Sequence, residues 1–433
     1  MTLSNQLVRR ALALAAMVIA TGFGFAPAAA QTELKIGYMK HPVQDASIDI
    51  MESWAKANGV KITRVAMPYE IFMEKVTATL TSGGDQFDVI WHNDDWGQLW
   101  KGWVDTTDDI PAMDKVFKRT VDVAFLNDEK RPTVVPMVHT TGILMYRTDL
   151  VQPSEVPKTL DELVTTAKRL QAEKKVKWGY VGGMGFNHSW FTWFWANWAS
   201  GCDVFEPPFE RDAATLAKAG WKPMLDSPCQ QKVVEYWWDA INTHKISPPG
   251  MPAYTRNDAN AIFQAGDAAF TIADSTLLGL FNDPKQSKAA GKVAIAPFPW
   301  GPGRTQGWAW NDIWGWGIPK GSPAEKKALS KKMLNAMLLD EEGQLQLWKK
   351  AGGAPPNMTI WPKLAESDPV FRQTKEYILD APQVIAGALY TPKWPAIHKA
   401  YSDAVIEAIN GKREAIPDVL KAHAPKVHQA AVE

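Results

Sequence analysis

The stretch FDVIWHNDDW, residues 87–96, sets the fold reading. Its first five residues are almost wholly apolar and bounded upstream by Gly83-Gly84, which reads as a short strand buried on both faces. Immediately after it come His92, Asn93, Asp94, Asp95 and Trp96. Polar groups collected at the carboxyl end of a buried strand are where open α/β sheets bind ligands. Upstream, residues 33–38 (ELKIGY) and 60–66 read as two further strands, with helices expected over 47–56 and 69–80. Strands alternating with helices imply a parallel sheet with crossover helices. His41, Pro42 and Gln44 then form a polar loop after the first strand, so His41 joins the site candidates.

Downstream, residues 133–147 (TVVPMVHTTGILMYR) read as a long strand with His139, Thr140 and Thr141 between two apolar ends. A polar stripe within such a strand suggests a segment crossing between two lobes. Residues 306–319 (QGWAWNDIWGWGIP) read as a second crossing, carrying Trp308, Asn311 and Asp312. Between the crossings lies GFNHSWFTWFWANWASG, residues 185–201. It is expected to be a buried helix from about Ser189, with Trp190 as a flat plate at a polar mouth near His188. Residues 206–223 read as an irregular, proline-bearing insertion. The strand 268–273 ends in Asp274-Ser275-Thr276, and a helix at 396–410 is expected to end the chain.

At 433 residues the chain is expected to form two domains. Lysine plus arginine equals aspartate plus glutamate, 47 each, which gives no reason to expect a nucleic acid or an anionic membrane as partner. Twenty-one tryptophans against nine tyrosines set the chain apart. Residues 1–30 carry Arg9 and Arg10, the apolar run ALALAAMVIA and the small residues Ala28-Ala29-Ala30, the pattern of a cleaved secretory signal peptide. The mature chain is therefore expected in the periplasm. In that oxidising compartment Cys202 and Cys229 are expected to pair, two buried thiols being the alternative.

The order of these features resembles the periplasmic sugar-binding proteins of ABC importers, the extracellular solute-binding family that includes maltose-binding protein. FDVIWHNDDWGQLW is similar to the family's strand-then-acid segment. VVPMVHTTGILMYRTDL followed by PKTLDELVTTAKRL resembles its first crossing and the helix entry after it. AIFQAGDAAFTIADST resembles the strand before a ligand loop, and HSWFTW an aromatic ligand helix. The resemblance implies a two-lobed periplasmic binding protein fold, each lobe a mainly parallel sheet flanked by helices, joined by crossing hinge segments. The lobe boundaries are expected at 31–139 with 317–366, and 140–316 with 367–433. It implies ligand contacts at His92, Asp95, Trp96, Thr140, His188, Trp190, Asp274 and Thr276, with Trp394 or His398 from the last segment. This chain has Thr140 and His188 where the maltose binder has acids, and His92, Thr276 and His398 where it has tryptophans.

Sugars and polyols need aromatic plates for their C–H faces and paired donors and acceptors for their hydroxyls. Tryptophans together with Asp95, Asp274 and Asp312 answer both needs, and turn, cap or core roles are the alternatives for each. A quaternary ammonium ligand in an aromatic cage is a rival reading. A secreted glycoside hydrolase is disfavoured because Asp94 and Asp95 are adjacent and their side chains diverge. A metal site built from His41, His92, His139 and His188 is disfavoured by long spacings. The expectation is thus a cofactor-free, non-catalytic monomer that binds a sugar or polyol and hands it to membrane permease subunits.

Overall fold

In the computed structural model, strand β1 (Glu33–Met39) buries Leu34, Ile36 and Tyr38, and pairs in parallel with β2 (Lys61–Met67) and β3 (Val89–Asn93). The structure describes residues 31–117, 121–185, 188–301, 308–377, 383–386 and 389–433; the side chains of 122–123, 308–311 and 383–386 are outside the description. The expected signal peptide also lies outside the described residues.

Between β1 and β2 runs helix α1 (Pro42–Ala57), and between β2 and β3 runs α2 (Tyr69–Thr81). Helix α1 begins five residues earlier than the sequence suggested. His41 caps it, its Nδ1 accepting the Val43 N–H at 3.3 Å, and Pro42 sits in the first turn, where a missing N–H costs nothing. The expected polar loop is therefore the start of a helix.

Strand β4 (Val135–Arg147) is buried along its whole length. Its lower part packs into one large apolar core through Val135, Met137 and Val138; its upper part packs into another through Leu144 and Tyr146. His139, Thr140 and Thr141 lie between. After α3 (Leu160–Ala172) come β5 (Trp178–Val181), α4 (Trp193–Ser200), α5 (Pro228–Asn242), α6 (Arg256–Gln264) and β6 (Ala268–Asp274). Strand β7 (Val293–Ala296) follows, and β8 (Trp308–Gly317) returns through the junction. Then come α7 (Ala324–Leu339), β9 (Gln383–Ala386), α8 (Trp394–Asn410) and α9 (Ile416–Val432).

The strand order is β2-β1-β3-β8-β4-β6-β5, with β7 also on β4 and β9 also on β8. Pairing is parallel in β2-β1-β3, in β6-β5 and between β8 and β9, and antiparallel where the crossings β4 and β8 meet each other and where they meet β3, β6 and β7. This is a two-lobed α/β fold in which two long strands carry the chain from one core to the other. A third, smaller cluster, with Phe263 of α6 and Phe281, covers the opposite face of β4 and β6.

Three expectations need correcting. The aromatic segment is not one helix: a tight turn, Ser189–Phe191, is broken from α4 at Thr192, whose backbone (φ −144°, ψ −95°) leaves the helical region. The insertion 206–223 contains a helix, Ala213–Lys218, capped by the Asp212 carboxylate. The chain does not finish its folding at Gly411, since α9 follows and packs on α8, burying Ile416, Leu420 and Val427. Cys202 and Cys229 are bonded, with their Cα atoms 5.8 Å apart.

Candidate functional site

A cleft of about 390 Å³, open mouth included, lies where the two cores face each other. One wall comes from carboxyl ends of the first sheet segment: Met39 ends β1, Trp91 and Asn93 belong to β3, and Asp95 follows in the turn Asp94–Trp96. Tyr69, first residue of α2, completes that wall. The other wall holds His188, Trp190, Phe191, Arg256 at the start of α6, and Asp274 at the end of β6. Asp312 and Trp314 of the crossing β8 form the floor.

Of the residues expected from sequence, Asp95, His188, Trp190, Asp274 and Asp312 line this cleft. His92 does not. Side chains alternate along a strand, so Trp91 and Asn93 face the cleft while His92 faces the core behind, edge-on to Trp100 (4.9 Å) and Phe125 (5.1 Å). Trp96 lies one layer back, stacked on Tyr69 at 6.0 Å and Phe72 at 5.8 Å. Trp394 and His398 also form a second layer: they stack on each other at 5.3 Å, and both pack against Trp190. His398 Nε2 bonds Ser189 Oγ at 2.8 Å and so holds the aromatic turn. Thr140 is buried beside Asp274, Thr276 is buried in the turn after β6, and neither lines the cleft. His41 is adjacent, its ring 5.3 Å from Trp314. The side chains of Trp308 and Asn311 lie outside the described residues.

Met39, Tyr69, Trp91, Phe191, Arg256 and Trp314 were missed as lining residues, while Asn93 lines the cleft as its place after the third strand suggests. For Trp91 no local signal was available, because β3 is buried on both faces and its sequence carries no alternation to show which side chains face the cleft. For Arg256, the capping box of Thr255 and Asp258 marks a helix start, but nothing local aims its side chain at the cleft.

Arg256 Nη1 pairs with Asp274 Oδ2 at 3.0 Å, and its guanidinium stands 5.9 Å over the Phe191 ring. Burial raises the Asp274 carboxyl, while Arg256 and Thr140 hold back part of the rise. Asp95 is pushed up to about 7 by burial, partly offset by the Trp394 indole N–H. Asp94, behind Asp95, is pushed well above the ordinary carboxylate range, first by burial and then by the neighbouring Asp312 and Asp95 charges. His188 and His41 are held down at about 3, by burial first and by Arg256 second. Both rings are therefore neutral at pH 7.

Several buried polar atoms at the cleft have no partner among the described residues: Asn93 Oδ1, His188 Nε2 and the indole N–H groups of Trp91 and Trp314. Among the described residues no cluster of three His, Cys, Asp or Glu could hold a metal ion.

Two lobes closing on a small cleft of aromatic faces and unpaired polar groups define a solute-binding protein. The chain belongs to the bacterial extracellular solute-binding protein family, which matches residues 38–344. Its fold is similar to maltose-bound MalE3 of T. maritima (TM-score 0.76, 23% identity, 92% of this chain and 99% of that one). It is also similar to a ribitol-bound ABC transporter solute-binding protein of Agrobacterium radiobacter (TM-score 0.76, 19% identity, 92% and 98%). A tagatose-bound one from Thermotoga lettingae gives TM-score 0.78 at 17% identity, with 92% and 100% covered. The last two are solute-binding proteins of ABC transporters.

Proposed function

We propose that this chain binds a sugar or polyol in the periplasm with high affinity and delivers it to the permease subunits of an ABC importer, without catalysing a reaction. The observation that carries the reading is the cleft chemistry. Aromatic rings (Tyr69, Trp91, Trp190, Trp314) alternate there with buried donors and acceptors that have no partner among the described residues. An unpaired buried polar group costs about 1–3 kcal/mol, and a polyhydroxylated ligand relieves several at once. The same hydrogen-bonding groups disfavour a quaternary ammonium ligand, which brings no N–H or O–H donor on its charged centre. In this reading residues 1–30 are a cleaved leader. Residues 31–139 and 317–366 form one lobe, 140–316 and 367–433 the other, and the protein acts as a monomer. The solutes named for the similar structures, maltose, ribitol, tagatose and also D-mannitol, support the ligand class.

The test is a thermal-shift panel of hexoses, pentoses, disaccharides, hexitols and pentitols, followed by calorimetry on the hits. A true ligand at 100 times its Kd adds about 2.7 kcal/mol of stability and raises the melting temperature accordingly. A panel without one stabilising member, or hits that are turned over to product, would refute the reading.

A further inference from the structure

The cleft has a neighbour, and the side chain between them limits how long a solute can be. A groove of about 850 Å³, open mouth included, is lined by residues that include Gln98, Lys101, Asn127, Glu210, Arg211 and Tyr390. Asp95 lines the cleft and Gln98 the groove, so the two cavities flank the short run that follows β3. Tyr390 stands at the same boundary. Its backbone N–H donates to the Arg211 carbonyl at 3.2 Å, and Leu389 before it is buried in the second core. Its ring, however, packs on the first core. Burial pushes the Tyr390 phenol up, Arg211 pulls it back, and the charges of Asp94 and Asp312 add to the rise. The hydroxyl is therefore near a groove residue, Arg211, and a cleft residue, Asp312, at once.

The two cavities differ in what they leave unsatisfied. In the cleft, Asn93 Oδ1, His188 Nε2 and two indole N–H groups lack partners among the described residues. In the groove, Gln98 Nε2 donates to the Leu126 carbonyl at 3.1 Å, and Lys101 Nζ pairs with Asp128 Oδ1 at 2.6 Å. Asn127 Oδ1 accepts two backbone N–H groups, at 3.0 and 2.9 Å, and Glu210 Oε1 accepts two more, each at 2.8 Å. A hydroxyl entering the cleft gains bonds that nothing else makes. One entering the groove competes with bonds already made. The cleft is also small. Its 390 Å³, mouth included, lies near the lower end of the about 300–1,000 Å³ usual for small-molecule sites. Tyr69 on His188 and Arg256 on Met39 join the two walls at its rim.

We propose that the solute is a single sugar ring or a single acyclic polyol, and that the Tyr390 ring is the stop that keeps a second unit out of the groove. This rests on the sugar-or-polyol reading above.

The experiment compares, by calorimetry, single units with two-unit molecules built on them: glucose with maltose and cellobiose, galactose with lactose, xylose with xylobiose, and glucitol with maltitol. The tightest single unit of the wider panel is added with its glucoside. A second unit forced against a packed ring must displace it, so wherever a pair has a binding member the single unit should bind about tenfold or more tightly. Tyr390→Ala should shrink that ratio about tenfold, through tighter binding of the two-unit member. Tyr390→Phe keeps the ring and should discriminate as the natural chain does. Melting curves verify that the variants are folded, and Tyr390→Leu, which keeps apolar contact with the first core, gives the same readout if the alanine variant does not fold. A two-unit molecule as the tightest binder, a ratio unchanged in the folded alanine or leucine variant, or a ratio lost equally in Tyr390→Phe overturns the inference and leaves the sugar-or-polyol reading standing. Failure of every member here and in the wider panel overturns both.

Discussion

Replacing Arg256 by methionine tests the reasoning about the cleft most directly. Its side chain is 14% exposed and that of Asp274 is 3% exposed, so the pair is nearly dry. Methionine keeps much of the apolar stem and removes the charge. Asp274 is then left buried without its cation. Breaking a buried pair from one side costs about 3–5 kcal/mol, and loss of the guanidinium from above Phe191 adds roughly 0.5–1 kcal/mol. Asp274→Asn alone leaves a cation at the cleft edge, where water reaches it more easily, and should cost less, about 2–3 kcal/mol. The double variant removes both charges and should fall well below the sum, by roughly 2 kcal/mol or more. Denaturant unfolding of the four proteins gives the cycle. A double-variant loss equal to the sum within about 0.5 kcal/mol would mean that the two charges do not interact, and the electrostatic account of the cleft would be refuted.

Trp190→Ala should weaken solute binding by about 1.5–3 kcal/mol. It should also cost about 3–5 kcal/mol of stability, because the ring is 5% exposed and packs on Phe194 at 4.4 Å and His398 at 4.8 Å. Calorimetry and melting read the two effects separately, and unchanged affinity would remove Trp190 from the site. Trp193→Ala, whose ring stacks on Tyr401 at 5.0 Å away from the cleft, should cost stability alone. Replacing Cys202 and Cys229 by serine should cost roughly 3–4 kcal/mol in the chain-entropy picture, given their sequence separation of 27; a loss near zero argues against it. His139, buried between Phe117 and Trp361, is held at about 3 against 6.5 when free. Below pH 6.5 the unfolded chain binds a proton there that the native chain does not, so stability falls with falling pH by about 1.4 kcal/mol per unit for this residue. His139→Gln should flatten the stability profile between pH 6 and 4 by that amount, and an unchanged slope would contradict the burial argument.

The alternation of strands and helices in the first 96 residues was legible because apolar runs and Gly breaks are local signals. So were the two crossings, whose polar stripe His139-Thr140-Thr141 falls between two cores. The site was legible only where a polar residue follows a strand end or stands on a crossing, as Asp95, Asp274 and Asp312 do. His92 was misassigned because β3 is buried on both faces, and such a strand carries no alternation to give its parity. Tyr69, Arg256 and Trp314 are positioned by the meeting of segments far apart in the chain. No local pattern encodes that meeting. The break at Thr192 was hidden in the same way, since the aromatic run satisfies helical periodicity on paper.

The two walls of the cleft also touch each other directly. The Tyr69 ring lies 5.8 Å from His188, and Arg256 Nη2 lies 4.0 Å from Met39 Sδ. Tyr69 and Met39 pack with the first core. His188 immediately precedes the Ser189–Phe191 turn, whose Trp190 and Phe191 belong to the second core, and Arg256 opens the helix that carries Phe263 into the third cluster. Both contacts are therefore made only when the lobes are close. They are also weak: a tilted ring pair and a guanidinium on a thioether, each worth about 1 kcal/mol or less. A solute that touches Asp95 on one side and His188 on the other adds several hydrogen bonds to the closed arrangement alone. Such a difference in contacts is what shifts an equilibrium between open and closed forms. The weakness of the direct contacts leaves closure dependent on the solute, and a transport system that must distinguish loaded from empty binding protein requires that dependence.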